Sequence, residues 1–392
     1  MKTPILLITL LIFSSLSFGQ SVIKRLDGTI ITEEELTQKV DTLMAKAKVT
    51  GLEIAVFNQR NPVYQRAFGT SNNKTGKPLQ ITTNMYGASL SKAIFAVLVM
   101  KLVEENVISL DKPLQEYLPK PIYEYPHKVW HEDFTPLKDD PRYKKITARM
   151  CLSHTAGFPN WRWFEPDEKL RIKYEPGTRY SYSGEGLTYL QVVLEKITGR
   201  SLEDLAQEKI FKPLQMFSSS YRWQTAFEAD FANGHDKDGK IYPKDKDNAP
   251  RGAGTLETTF EDYNRFITAV LNKKILKNSS YKEIFSPQVR IRSKNQFGPG
   301  ATVDGDYNDT IQLSYGLGWG LLKSPYGWAA FKEGGGDGFH HYGIIFPDKG
   351  IGMVIMSNSE HAEGIFKYLL EYGIGDTFTP WKWDQYIPYD QK

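Results

Sequence analysis

Strand-like segments stand at both ends of this chain and helical ones fill its middle, and that order constrains the fold more than any other feature. Near the N-terminus, "LEIAVFNQRNPVYQRAFGTS" gives two β-rich runs around the turn from Asn58 to Pro62, a hairpin. Near the C-terminus, "LSYGLGWGLL", "GFHHYGIIFP" and "GIGMVIMSN" are strand-like, with Pro347-Asp348-Lys349-Gly350 as a tight turn. The intervening chain carries helices: one opening at Ser89, one in "ITARMCLSHTAGFPNW" that breaks at Gly157, and two separated at Gly199, the second capped by Ser201. A helix capped by Thr32 precedes the first strands, and "TTFEDYNRFITAVLN" is another capped helix. The terminal segments therefore build one sheet and the helical middle packs beside it. The expected class is α/β, of the α+β type: an antiparallel sheet flanked by helices, with an inserted mainly helical domain. Residues 20–85 and 250–375 are expected to form the α/β part, 90–249 the helical part, and 376–392 a C-terminal tail.

Residues 1–19 are set apart from that fold. Lys2, the apolar run from Ile5 to Phe13 and the exit Ser17-Phe18-Gly19 have the pattern of a secretory signal peptide. The run is much shorter than the ~20 residues that a membrane span needs. A secreted or periplasmic protein is expected, without an integral membrane span. The one cysteine, Cys151, lies deep in the chain, so no lipid-bearing cysteine follows the leader and no internal disulfide can form. Without Lys2, 49 basic residues become 48 against 46 acidic ones, a balance that gives no electrostatic footprint for nucleic acid. The 22 Tyr, 21 Phe and 8 Trp fit an aromatic-lined cleft and equally a bulky core.

The chemistry is concentrated in "YGASLSKAIFAVLVMKL". Ser89 and Lys92 stand one helical turn apart at the start of an apolar helix, where a lysine is electrostatically misplaced. A serine hydroxyl needs a base within hydrogen-bonding reach, and a lysine supplies one when burial or a neighbouring cation lowers its pKa. The helix N-terminus disfavours the ammonium and offers N–H groups to an oxyanion. The plainer reading is a helix cap and a solvated lysine. Two further segments shift the balance: "EPGTRYSYSGEGLTYL" places Tyr182 just before a helix near Gly184, and "FKEGGGDGFHHYGIIFP" carries Lys332-Glu333-Gly334-Gly335 on a strand. A tyrosine held near cationic lysines can be partly deprotonated and act as a base.

Ser89-Leu90-Ser91-Lys92, Tyr182-Ser183-Gly184 and Lys332-Glu333-Gly334, in that order, resemble the three motifs of the penicillin-recognising serine hydrolases, closest to the class C β-lactamase and esterase branch. The flanks "ITARMCLSHTAGFP", "GAGTLETTFEDYNRF" and "YGLGWGL" look like the family too, and the likeness runs from about Ile31 to Asn358 within one hydrolase domain, 20–380. The resemblance implies a β-lactamase/transpeptidase-like fold, no cofactor, no metal and a small-molecule or peptide acyl substrate. It implies Ser89 as the acylated nucleophile, Lys92 as its activating partner, Tyr182 as base and proton shuttle, and Lys332 at the cleft edge. The backbone N–H groups of Ser89 and Gly335 would form the oxyanion hole, and Gly184, Glu333 and Gly334 would border the substrate. Two positions depart from the family pattern. Gly184 replaces an Asn that grips an acylamide group, and Glu333 replaces a hydroxyl residue that helps bind a substrate carboxylate. Both turn the expectation toward esters or other small acyl substrates, with a D-alanyl peptidase or β-lactamase as the alternative. A non-catalytic or slowly acylated penicillin-binding sensor is the alternative of another class.

Other reactive side chains have simpler readings. Cys151 sits between Met150 and Leu152 as a packing residue. His154 has no Ser-His-Asp partners and belongs to a structural turn. His127 and His131 are four apart in a segment that Pro126 opens, without the glutamate of a zinc helix. His340 and His341 would face opposite sides of a strand, so they cannot readily share a metal, though one could border the cleft. "DKDGK" lacks the ligand spacing of a calcium loop.

Overall fold

The structure, a computed structural model, describes residues 22–246 and 249–391; the expected signal peptide lies outside them. A short antiparallel pair, β1 (Val22–Lys24) and β2 (Ile30–Thr32), leads into α1 (Glu33–Ala47). Thr32 and Glu35 satisfy each other's free backbone donors at its start in a capping box. The expected hairpin follows as β3 (Gly51–Asn58) and β4 (Asn61–Asn72), turned at Gln59 and Arg60, both with positive φ. Next come β5 (Lys77–Pro78), β6 (Asn84–Ala88) and α2 (Ser91–Glu104).

The middle of the chain holds α3 (Ala148–Leu152), α4 (Gly184–Thr198) and α5 (Leu202–Ala206), with short 3-10 turns before α3. Gly199 ends α4 in the left-handed region and Ser201 caps α5. The chain then returns through β7 (Leu256–Thr259), α6 (Phe260–Leu271), α7 (Asn278–Ile284), β8 (Val289–Arg290) and β9 (Ser314–Tyr315). It closes with β10 (Gly320–Ser324), β11 (Gly327–Gly336), β12 (Phe339–Phe346), β13 (Ile351–Ser357) and α8 (Glu363–Gly373).

One nine-stranded sheet runs β5-β4-β3-β13-β12-β11-β10-β9-β8, and β6 pairs with β7 in a separate ribbon. β13 therefore pairs with β3 at the centre, joining the two ends of the chain as the strand pattern requires. Alternate residues of β3 enter different cores. Ile54 and Val56 pack with α1 and α8 on one face, while Ala55 and Phe57 join the larger core with α2 and α4 on the other. Chain-distant strands thus fix a sheet whose inner face carries the helical body, and the third motif lies on β11 at their junction.

Three expectations need correction. α2 begins at Ser91 rather than Ser89, because Ala88 takes a positive φ (45°) and the chain turns sharply before helical geometry sets in. The helix in the "SHTAG" segment ends after Leu152, not at Gly157, since His154 adopts a positive φ (56°). Residues beyond 375 are not a peripheral tail: Asp376, Thr379 and Trp383 are buried against the sheet.

Candidate active site

The turn into α2 presents Ser89. Ser91 Oγ donates to the Ala88 carbonyl and accepts the Leu256 N–H, so the turn is tied to β7. Tyr221 Oη donates to the Ser91 carbonyl at 3.0 Å. His341 donates from Nε2 to the Tyr86 carbonyl at 2.8 Å while its Nδ1 accepts the Ser357 N–H, which pins β6 to β12 just ahead of the serine. That role was not legible in the sequence. Burial holds His341 down to about 4, so it is neutral at ordinary pH.

Lys92 is fully buried and its Nζ lies 2.8 Å from Ser89 Oγ. It also donates to the Ala253 carbonyl. Burial pushes its pKa well below that of an ordinary lysine, Lys332 and Arg251 push the same way, and Glu333 opposes them. A neutral amine can donate to Ala253 and still turn its lone pair on the serine hydroxyl.

Tyr182 stands at the N-terminus of α4, with Ser183 as N-cap. Its ring packs against that of His154 at 4.4 Å and Phe297 at 5.5 Å, and Lys92 Nζ lies 4.9 Å from its centroid. His154 Nδ1 accepts the Ser183 N–H at 3.1 Å, so the strained histidine turn sets the tyrosine's position. Burial works against the expected partial deprotonation of this phenol: it raises the Tyr182 pKa and outweighs the downward pull of Lys332.

Lys332 donates to Tyr182 Oη at 3.3 Å and lies 3.1 Å from Glu333 Oε1. Burial pulls Lys332 down, but Glu333 and Tyr182 outweigh it and the net shift is upward. Burial pushes Glu333 up, yet Lys332 and Gln296 bring it below the usual carboxylate value. Gln296 Nε2 donates to Glu333 Oε1 at 2.8 Å. Two lysines a few ångströms from one phenol are therefore shifted in opposite directions.

These groups border one cleft of about 310 Å³, whose walls include Ser89, Trp161, Tyr182, Phe297, Glu333 and Gly335. Glu333 lines the cleft. A Cβ at Gly334 would lie 3.2 Å from the Ser89 nitrogen, so the missing side chain lets β11 run directly beside the serine turn. Gly184 has an equally physical reason. A Cβ there would fall 2.3 Å from the Trp161 indole, which fills the space any larger residue would need. Trp161 is held by its neighbours: Asn160 accepts the Gly184 and Glu185 N–H groups, and Arg162 pairs with Glu185 at 2.8 Å, both side chains buried. The glycine in the second motif was the one sequence signal that another group occupies its place. Cys151 is buried in the core. Among the described residues no cluster of three His, Cys, Asp or Glu side chains could hold a metal ion, and no helix is long and apolar enough to cross a membrane.

The sequence pattern of the family described as Beta-lactamase matches residues 36–372. Over 198 residues the chain is 30% identical to the lovastatin esterase of Penicillium rubens, covering 44% of this chain and about half (49%) of that enzyme. Over 396 residues it is 23% identical to the D-alanyl-D-alanine-carboxypeptidase/endopeptidase AmpH of Escherichia coli, covering 94% of this chain and 96% of the relative. Among solved structures, the octameric penicillin-binding protein homologue from Pyrococcus abyssi superposes with a TM-score of 0.70 at 21% identity, covering 89% of this chain and 79% of that one. That likeness concerns the fold.

Proposed function

We propose, from the premise that this chain belongs to the Beta-lactamase family of serine hydrolases, that it is an exported enzyme working through an acyl-enzyme on Ser89 with ester or small acyl substrates. The observation that carries the reading is the buried, deprotonation-prone Lys92 amine 2.8 Å from Ser89 Oγ. As Oγ bonds to the acyl carbonyl carbon, its proton passes to Lys92 Nζ and the carbonyl oxygen gains the negative charge. The N–H groups of Ser89 and Gly335 receive that oxygen. The proton leaves Lys92 by way of Tyr182 Oη for the departing oxygen or nitrogen as its bond to carbon breaks. The phenol starts protonated and acts as a relay, with the Lys332 ammonium steadying charge on it. Water then repeats the sequence to release the acid.

Esters are favoured over β-lactams and D-alanyl peptides by the two departures in the motifs. Glu333 sets a carboxylate where those substrates bring another, and Trp161 stands in the space of an amide-gripping side chain. The long alignment with AmpH keeps D-alanyl peptides as the second reading. The test is burst-phase hydrolysis of a short-chain nitrophenyl ester by protein recovered from the exported fraction, its mass first checked for loss of residues 1–19. A burst near one equivalent that Ser89→Ala abolishes is expected. Equal rates in both proteins would sink the acyl-enzyme reading, and an unshortened mass would sink the export.

A further inference from the structure

The cleft beside Ser89 carries an unusual balance of charge. Glu333, Glu363 and Asp384 all line it, and among the described residues no lysine or arginine does. The two lysines of the site are fully buried behind its walls, and Lys332 is already shared between Tyr182 and Glu333. Burial first, then Glu333 and Glu363, drive the Asp384 pKa well up, with Lys332 opposing them. One buried atom at this wall also lacks a hydrogen-bond partner among the described residues. Glu333 Oε2 has none, although Oε1 takes the Gln296 bond.

The chemistry fixes which half of a substrate meets this wall. The leaving group takes its proton from Tyr182, and Lys332 bridges Tyr182 Oη and Glu333 Oε1, so the departing half sits toward Glu333. Phe297 and Tyr182 present aromatic surface there, which suits a cation over one face and carboxylates at its rim.

We propose that the leaving-group half of the cleft selects substrates bearing an ammonium group, through Glu333 with Glu363 and Asp384. The inference rests on the acyl-enzyme reading above and adds the charge of its substrate. A carboxylate at the same place meets like charge and is rejected; a neutral group gains no attraction from the carboxylates.

Three acetate esters test this by pH-stat at one ionic strength: that of choline, that of 3,3-dimethylbutanol, its neutral isostere, and that of glycolate, which carries a carboxylate. The expected kcat/KM order is choline, then dimethylbutyl, then glycolate, with about a tenfold step between the first two. Glu363→Gln and Asp384→Asn should each shrink the choline to dimethylbutyl ratio, and Glu333→Gln, which removes the charge paired with Lys332, should bring it close to one. The ratio is the readout because Glu333→Gln also alters the environment of Lys332. Equal rates for cationic and neutral esters, or preference for the glycolate ester, would overturn the proposal while leaving the acyl-enzyme intact. Failure of all three esters, with no labelling of Ser89 by a fluorophosphonate, would instead remove the acyl-enzyme reading and the proposal with it.

Discussion

Lys92 and Lys332 show how far one site can separate two identical side chains. Burial pushes both down; Lys332 and Arg251 add to that push on Lys92, while Glu333 and Tyr182 outweigh it at Lys332. The proposed chemistry needs Lys92 neutral, so its protonation sets the acid limb of the pH profile. kcat/KM should rise as pH passes up through the depressed Lys92 pKa and level off well before an ordinary lysine would titrate. Lys92→Arg is the sharper test than Lys92→Ala, since a guanidinium fills similar space but stays charged and cannot accept the serine proton. Both substitutions should lower kcat by about 10²–10⁴-fold, the usual contribution of a positioned base. Substantial activity in Lys92→Arg would mean that Tyr182, despite its raised pKa, takes the proton.

At the scale of elements, the segment from Asn160 to Arg162 and the N-terminus of α4 form one unit. Arg162 and Glu185 are an ion pair with side chains 3% and 1% exposed, and the Arg162 N–H also donates to Glu185 Oε1. Removing one partner strands a buried charge. Arg162→Met should therefore destabilise the fold by about 3–5 kcal/mol in urea unfolding, whereas Arg162→Met with Glu185→Leu should recover much of that loss. If the pair also positions Trp161 beside Lys92, the double variant will stay folded but hydrolyse esters more slowly; unchanged kinetics would reduce the pair to a structural clamp. This unit also marks where reading a sequence stops. Ser89, Lys92, Tyr182 and Lys332 lie in short local motifs, and their convergence was implied by the family resemblance those motifs carry. The position of Trp161 was not implied, because its contact with Gly184 depends on a loop whose path no periodicity records. The facing of Glu333 was equally hidden: it is set by the register that pairs Glu333 with Tyr342, and a one-residue slip would turn the side chain to the other face.

The cleft is assembled by the whole molecule. The α2 turn, the start of α4, β11 and the segment after α8 each contribute a wall, and the last of these lacks any strand or helix pattern from which its path could be read. Trp383 anchors that segment. It is 1% exposed, donates from Nε1 to Ser293 Oγ at 3.3 Å, and packs between Tyr180 and Phe331, while the next residue, Asp384, lines the cleft. Truncating a buried tryptophan costs about 3–5 kcal/mol, so Trp383→Ala should lower the melting temperature by several degrees. Ile387, 52% exposed in the same segment, is the control, and Ile387→Ala should stay within about 0.5 kcal/mol of the wild type. Because Trp383 also holds Asp384 against the cleft, its loss should narrow the choline to dimethylbutyl ratio at a temperature where the variant is still folded. A dispensable appendage would give the same small effect at both positions and leave the ratio untouched. Unequal effects with a reduced ratio would mean that the chain's last residues complete the substrate site which its central turn begins.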